Sequence, residues 1–286
     1  MELINRPLRA GLWLFAQAWS FRGRYRVVDY VSARIAPPAG SALRVNGVSI
    51  GVNQTSRHHR FMYYGLYERG MVRFLGKYLR KGDVVLEPGA NIAYMSAVCL
   101  GLVGPTGKVY SFEPSPSAFA RIRQHNRQED HPNWFLWNSA LSDHVGKGTF
   151  YDTPRVMMLG YACLSDVSSP KDGIPYEVQL DTVDNFCKTQ NISIVRFLKL
   201  DVEGAELLAL RGAARMIGEK AIDIIMVETS TVGPHRPQAE QIDGLLKAAE
   251  YRSFHVKGNG NLVALEVLAG APKREDVIWL APGVHP

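Results

Sequence analysis

The chain has 286 residues, enough for one generous core or one core with a small appendage, and 46% hydrophobic with 21% charged residues is ordinary for a globular protein. No apolar run approaches the roughly 18 residues of a membrane-spanning helix. Cys99, Cys163 and Cys187 lack CxxC or Cys/His ligand spacing, which argues against a disulfide framework and a zinc site and suits a reducing, cytoplasmic setting.

The net charge of +6 conceals an asymmetry: residues 1–82 hold 14 Lys/Arg against 3 Asp/Glu, or +11, and the remainder holds 19 against 24, or −5. A basic N-terminal part suits an anionic glycan, a peripheral membrane face or nucleic acid, or is a solvated helical face. Residues 1–36 read as helical. Arg6 and Arg9 precede a short apolar stretch and Ala16-Gln17-Ala18 resembles a cleavage site, but the apolar core is too brief for a secretory signal, so the segment is an N-terminal helix. The breaker cluster Ala36-Pro37-Pro38-Ala39-Gly40 ends an N-terminal helical extension over residues 1–40.

In Leu43 to Val52, Asn46-Gly47 separates two short alternating segments, the pattern of a tight hairpin whose turn needs positive φ. We read it as a small lid or flap. The run Arg57-His58-His59-Arg60 reads as a solvated loop, with contact to an anionic acceptor as the alternative. Met71, Phe74, Leu75, Tyr78 and Leu79 follow helical spacing from Glu68 to Leu79, and Lys81-Gly82-Asp83 stops that helix. Residues 41–82 therefore lead into a core domain at 83–286.

From Val84 the pattern is strand, Gly-rich turn, helix, repeated, as in a parallel α/β sheet. Strands are expected at Val84 to Glu87, Lys108 to Glu113, Trp134 to Asn138, Val195 to Leu200 and Ile222 to Glu228. Helices begin near Ile92 and after Ser115-Pro116, a good N-cap with proline at N1. Further helices carry Leu207, Leu210, Ala214 and Ile217 on one face and span Gln238 to Glu250. Arg252 to Val256 and Leu262 to Leu265 flank Lys257-Gly-Asn-Gly-Asn261, a connection that implies an antiparallel pair. Trp134 and Trp137 read as packing rather than a sugar-stacking platform.

In an open α/β sheet, ligands bind at the carboxyl ends of the strands where the connection order reverses. The first strand ends in Glu87-Pro88-Gly89-Ala90-Asn91-Ile92-Ala93, where Gly89 and Ala90 let backbone pass close to a ligand and the following helix offers free N–H groups. The second ends in Glu113, whose carboxylate can accept both hydroxyls of a ribose. Asn91 and Ala93 replace the glycines of GxGxxG, so the phosphate-cradling turn is lacking. A nucleoside carrying a sulfonium near Glu87 fits better than a dinucleotide. The fourth strand runs into Asp201-Val-Glu203-Gly-Ala-Glu206; a helix dipole accounts for Glu203 and Glu206, and less well for Asp201 at the strand end. Glu228 emerges equivalently from the next strand. The two could share a metal or a proton; positioning of cofactor and acceptor is preferred, and no metal is assigned.

The segments Leu86-Glu-Pro-Gly-Ala-Asn-Ile-Ala-Tyr94, Phe112-Glu-Pro114, Asn138-Ser-Ala-Leu-Ser-Asp143, Leu180-Asp-Thr182 and Leu198-Lys-Leu-Asp-Val-Glu-Gly-Ala-Glu206 resemble the FkbM family of methyltransferases in order and spacing, over about residues 64 to 232. The family pattern D-x-G-A-N-x-G is met except at Glu87 and Ala93. The resemblance implies a Rossmann-like class I methyltransferase with a mostly parallel seven-stranded sheet whose last strand is antiparallel. It also implies S-adenosyl-L-methionine as cofactor and O-methylation of a sugar, glycolipid or polyketide-like metabolite. By position, Gly89, Ala90 and Asn91 line the methionine part, Glu113 the ribose, and Ser139, Ala140 and Leu141 the adenine. Asp201 faces the reacting end as first candidate for general base, and His235, in the loop after the fifth strand, is the second; the rival reading of that histidine is an exposed bystander. A nucleic-acid methyltransferase is the enzyme alternative, but no N/D-P-P-Y/F motif follows the fourth strand. A degenerate cofactor-binding scaffold is the non-enzyme alternative.

Overall fold

The structure, a computed structural model, describes residues 2–18, 21, 23–35, 42–53, 55–152, 163–164, 174–229, 236–265 and 275–286. The N-terminal helices are α1 (Glu2–Ala18) and α2 (Arg24–Ile35), followed by the hairpin β1 (Ala42–Val45) and β2 (Val48–Gly51) and by α3 (Arg57–Tyr63) and α4 (Arg69–Tyr78). The first half of the α/β core comprises β3 (Val84–Pro88), α5 (Tyr94–Val103), β4 (Lys108–Phe112), α6 (Pro116–His125) and β5 (Trp134–Trp137). Then come β6 (Ser139–Leu141), β7 (Gly146–Asp152), β8 (Cys163–Leu164), β9 (Ile174–Asp181) and α7 (Val183–Thr189). The second half holds β10 (Val195–Leu200), α8 (Glu206–Arg211), α9 (Ala214–Gly218), β11 (Ile222–Thr229), α10 (Arg236–Ala248), β12 (Arg252–Val256), β13 (Leu262–Ala264) and β14 (Glu275–Leu280).

The main sheet has the order β13-β12-β14-β11-β10-β3-β4-β5. The chain steps outward through β4 and β5 on one side of β3, then returns to build β10 and β11 on the other, so the order reverses between β3 and β10. The crevice beyond their carboxyl ends is where such a sheet binds ligands. The last strand, β14, runs antiparallel between β11 and β12. The expected antiparallel pair is present as β12 and β13, and β13 makes the sheet one strand wider than the seven expected.

Strand side chains alternate between faces, and both faces are covered, so the central strands are apolar almost throughout. Leu86, Leu198, Leu200, Ile225, Val227 and Trp279 pack on the side of α7 to α10. Val85, Val109, Phe197, Ile224, Met226 and Ile278 pack on the side of α4, α5 and the hairpin. Trp134 is buried in that second layer and its indole N–H donates to Ser111 Oγ at 3.0 Å. Trp137 is exposed, with its ring edge-on to Phe186.

Several expectations are corrected. The Asn46-Gly47 turn has positive φ at both residues, 48° and 88°, but the hairpin is no flap: Val48, Ile50 and Val52 are buried against the core. Asn46 Nδ2 donates to the Ala97 carbonyl of α5 at 2.9 Å, and Asn126 at the end of α6 clamps Ser49 through both its N–H and its C=O. The run Arg57 to Arg60 is the first turn of α3, capped by Ser56, rather than a solvated loop. His59 and Arg60 are buried, His59 Nδ1 accepting from Asn53 N at 2.7 Å and Arg60 donating to Ser32 Oγ, Thr55 O and Asp29. Burial pushes His59 down to about 4, so it is neutral at physiological pH. Residues 206–218 form two short helices instead of one. A second sheet, β6-β9-β7-β8, was not anticipated; its Phe150, Val178 and Leu180 bury against Ala140 and Ala205.

The break between α8 and α9 is at Gly212, where an added Cβ would lie 2.0 Å from the Ser142 carbonyl oxygen. Gly218, at the end of α9, has open space around its missing Cβ. Gly212→Ala should therefore cost about 1–3 kcal/mol through overpacking. Gly218→Ala should gain a few tenths to about 1 kcal/mol by restricting the unfolded chain. Urea unfolding of the two variants checks both signs; equal effects would contradict the packing at Gly212.

Candidate functional site

The loop after β3 is held as a rigid turn. Gly89 N and Ala90 N both donate to the Phe112 carbonyl, at 2.9 and 3.0 Å, tying the loop to the end of β4. Gly89 has φ 83°, and a Cβ there would sit 2.1 Å from the Asp201 carbonyl oxygen, so only glycine lets this loop touch the end of β10. Asn91 and Ala93 also have positive φ, 54° and 66°. Ala93 holds a conformation that costs a residue with a Cβ about 1–2 kcal/mol, which is the physical reason the family pattern has glycine at that place. Asn91 is exposed and Ala90 buried.

Glu113 is 6% exposed. Its Oε2 accepts from Asn91 N at 2.7 Å and its Oε1 from Ser115 N at 2.9 Å. The acid thus braces the loop it shares with the expected methionine-binding residues. Ser139 is half-buried at the start of β6, whereas Leu141 points into the main core and Ala140 into that of the small sheet; of the three, only Ser139 keeps an accessible side chain. His235 lies outside the described residues.

The alternation of β3, β4, β10, β11 and β14 sets Ser111, Glu87, Lys199 and Glu228 on one face of the sheet, in line with Val109, Val85, Phe197 and Met226 of the second core layer. Asp276 pairs with Glu228 across β11 and β14. A polar row therefore crosses the carboxyl ends of the strands beneath α4 and α5. Glu87 is 1% exposed and accepts from Ser96 Oγ and from Ser111 Oγ, the latter at 2.8 Å. It is sealed in this row and does not open to the crevice, so it acts on a ligand only through its field. Burial pushes its carboxyl up to about 7, against the opposing pull of Lys199 and the two serine hydroxyls.

Lys199 is 3% exposed, and its Nζ donates to Asp201 Oδ2 at 2.8 Å. Burial works against its charge, but Asp201, Glu68 and Glu87 outweigh it and hold the ammonium well above the usual lysine range. Glu68, at the start of α4 with φ 44°, was read only as the beginning of a helix. It faces Lys199, Asp201 and Glu228, and burial followed by those two carboxylates pushes it up despite Lys199. Its Oε2 is buried with no hydrogen-bond partner among the described residues. Tyr67 is raised by burial and then by Glu68, Asp201 and Asp276, and its ring meets Tyr94 edge-on at 5.4 Å. Asp276 is raised well above its usual range by burial, then by Glu68 and Asp201. These residues were missed because no strand was assigned near 276 and because Glu68 fits a helix start. The available signal was that Glu68 is the lone acid between Asp29 and Asp83 in a strongly basic segment.

Carboxylate oxygens of Asp201, Glu203 and Glu228 lie within 4.8 Å of one another, close enough to hold a metal ion. Glu203 has φ 51° and Gly204 φ 102°, a turn that swings the Glu203 carboxylate back toward Asp201. Glu206, by contrast, is buried and caps the turn, its Oε1 accepting from Val202 N and Gly204 N, both at 3.1 Å. Burial pushes it to about 7 against those bonds.

The Methyltransferase FkbM domain matches residues 83–253 of the chain. The chain belongs to the FkbM methyltransferase family. It is similar to the 31-O-demethyl-FK506 methyltransferase FkbM of Streptomyces tacrolimicus, 27% identical over 178 residues, which cover 54% of this chain and 68% of the relative. A shorter segment is 48% identical over 46 residues to the protein-L-isoaspartate O-methyltransferase of Ignicoccus hospitalis, covering 16% of this chain and 22% of that one. Among solved structures, a methyltransferase FkbM from Methylobacillus flagellatus KT superposes with a TM-score of 0.45 at 12% identity, over 90% of this chain and 59% of that chain. The chain therefore spans little more than half of that solved protein.

S-adenosylmethionine is the cofactor of this FkbM-family methyltransferase. The residues present fit it: an acid, Glu113, stands at the end of β4 beside the loop after β3, which it holds through Asn91 N–H. The acids Asp201, Glu203 and Glu228, gathered where β10 and β11 end, suit a ligand bearing sulfonium and ammonium groups.

Glu87 makes a pH-dependent contribution whose sign follows from its raised carboxyl. Folded, it binds a proton up to about 7; unfolded, only to about 4.5. Its contribution to stability is thus complete below pH 4.5 and is lost as pH rises to 7. Glu87→Gln keeps an acceptor for both serines and does not ionise. Relative to wild type, it should gain on the order of 2 kcal/mol in cofactor-free protein between pH 4.5 and pH 8. Thermal melts across that range test it; a constant difference would mean that Glu87 is ionised throughout.

Proposed function

We propose that this methyltransferase acts on a hydroxyl oxygen of a sugar, glycolipid or polyketide-like metabolite, with Asp201 as the group that receives the hydroxyl proton. The observation that carries the reading is the convergence of Asp201, Glu203 and Glu228 beside the buried Lys199 at the carboxyl ends of β10 and β11. When bound, S-adenosylmethionine supplies an electrophilic methyl group. The protein's task is then alignment, followed by removal of one proton as the acceptor oxygen gains positive character. A positioned base typically contributes about 10² to 10⁴-fold.

Asp201 suits that part because its side chain is 28% exposed while its neighbours Glu87 and Glu206 are sealed. Lys199 fixes one of its oxygens from below, so the carboxylate is held in one orientation toward the crevice. Gly89, Ala90 and Asn91 would hold the methionine end, Glu113 the ribose and Ser139 the adenine edge. A hydroxyl acceptor also agrees with the name of the Streptomyces relative, a 31-O-demethyl-FK506 methyltransferase. A nucleic-acid acceptor is disfavoured physically, since a polyanion would enter a crevice lined by Asp201, Glu203 and Glu228.

Asp201→Asn should lower kcat by about 10² or more with the cofactor Kd changed little. Assays with a hydroxylated acceptor, with added magnesium and with chelator, test this. Near-normal turnover would remove Asp201 from the mechanism, and chelator-sensitive turnover restored by magnesium would make the carboxylate cluster a metal site. Glu113→Gln should weaken cofactor binding by about 1–3 kcal/mol, read by calorimetry. Undetectable binding by wild type would instead support a scaffold without catalysis.

A further inference from the structure

Helix α1 is built inside out. Its inward face carries Arg9, Leu12 and Ala16, all buried, against Val28, Phe61, Tyr64 and Leu66. Its single polar side chain after Arg9, Gln17, donates to the Tyr64 carbonyl at 2.8 Å. From Pro7 to Ala18 every exposed residue is apolar: Pro7, Leu8, Ala10, Gly11, Trp13, Leu14 and Ala18. Leu8 is 53%, Trp13 45% and Leu14 61% exposed. A surface helix of a water-soluble fold places charge on that side, and a contiguous apolar stripe marks an interaction site.

The surroundings say what covers it. Phe21 is 48% and Tyr30 63% exposed, and the Arg34 guanidinium lies 3.5 Å over the Tyr30 ring. Arg26 and Arg34 are exposed on α2. Residues 1–35 hold six arginines against Glu2 and Asp29, a positive segment. Exposed Trp and Tyr with flanking arginine and leucine is the composition of a helix lying in the headgroup region of an anionic bilayer. The exposed stretch of α1 carries no charged side chain, and the charge beside it on α2 is positive, which suits an anionic surface. Among the described residues no helix is long and apolar enough to cross a membrane, so the contact is one of lying on the surface.

We propose that α1, with the aromatic and arginine side chains that follow it, docks this protein onto an anionic lipid surface. The inference rests on exposure and charge and stands whether or not the acceptor assignment does. Flotation of the full chain with vesicles of phosphatidylcholine alone, or mixed with phosphatidylglycerol, tests it. The protein should bind the mixed vesicles, and raising salt should weaken binding. Leu8→Ser with Leu14→Ser should reduce partitioning about tenfold or more, with melting temperature and cofactor affinity unchanged because both residues are exposed. Arg26→Gln with Arg34→Gln should reduce binding to the mixed vesicles and its salt dependence. Failure of wild type to float, or equal flotation of the Leu8/Leu14 variant, would overturn the proposal. So would self-association in the absence of lipid that the same leucine substitutions abolish while vesicles go unbound, which would make a second copy the occupant.

Discussion

The site depends on one buried ammonium. Lys199 sits under the carboxyl ends of β10 and β11 with Asp201 at 2.8 Å and with Glu68 and Glu87 close enough to raise it. Desolvating a lysine costs several kcal/mol unless partners compensate, and here the partners are also the groups that would otherwise repel one another. Burial already pushes Glu68 and Asp276 toward their neutral forms, and Lys199 is the cation that opposes this at both. Lys199 is thus the positive charge around which the acids of the crevice are gathered.

That electrostatic arrangement is locked by backbone packing. Gly89 lies against the carbonyl of Asp201, so the loop after β3 and the acid at the end of β10 cannot move independently. Glu113 bonds the N–H of Asn91 on the far side of the same loop. The turn is held from β4 and from β10 at once, and rigid support of this kind is what in-line transfer requires.

The segment before the α/β core is integral to this architecture. The β1–β2 hairpin fills the space over α5 and α6, and α3 is stitched to α2 by Arg60 and Asp29. At the start of α4, Tyr67 and Glu68 reach Asp201 at the carboxyl end of β10. The outward face of α1, in contrast, contributes nothing to the core.

Motif order and strand alternation determined the family resemblance, the parallel sheet, the loop at Gly89 to Asn91 and the strand-end acids Glu113, Asp201 and Glu228, because each of these is written in residues close together along the chain. The same alternation places Lys199 on the face shared with Glu87, two residues from Asp201. Tertiary structure alone decided that Glu87 is sealed and Asp201 accessible, since both stand at strand ends and only the covering by Ser96, Ser111 and α5 separates them. It alone brought in Glu68 and Asp276, which lie more than sixty residues from Asp201 along the chain and meet it only because α4 crosses the sheet's end and β14 inserts beside β11. It also turned the hairpin from an expected flap into a packed wall, because burial of Val48, Ile50 and Val52 depends on helices that no local pattern could position.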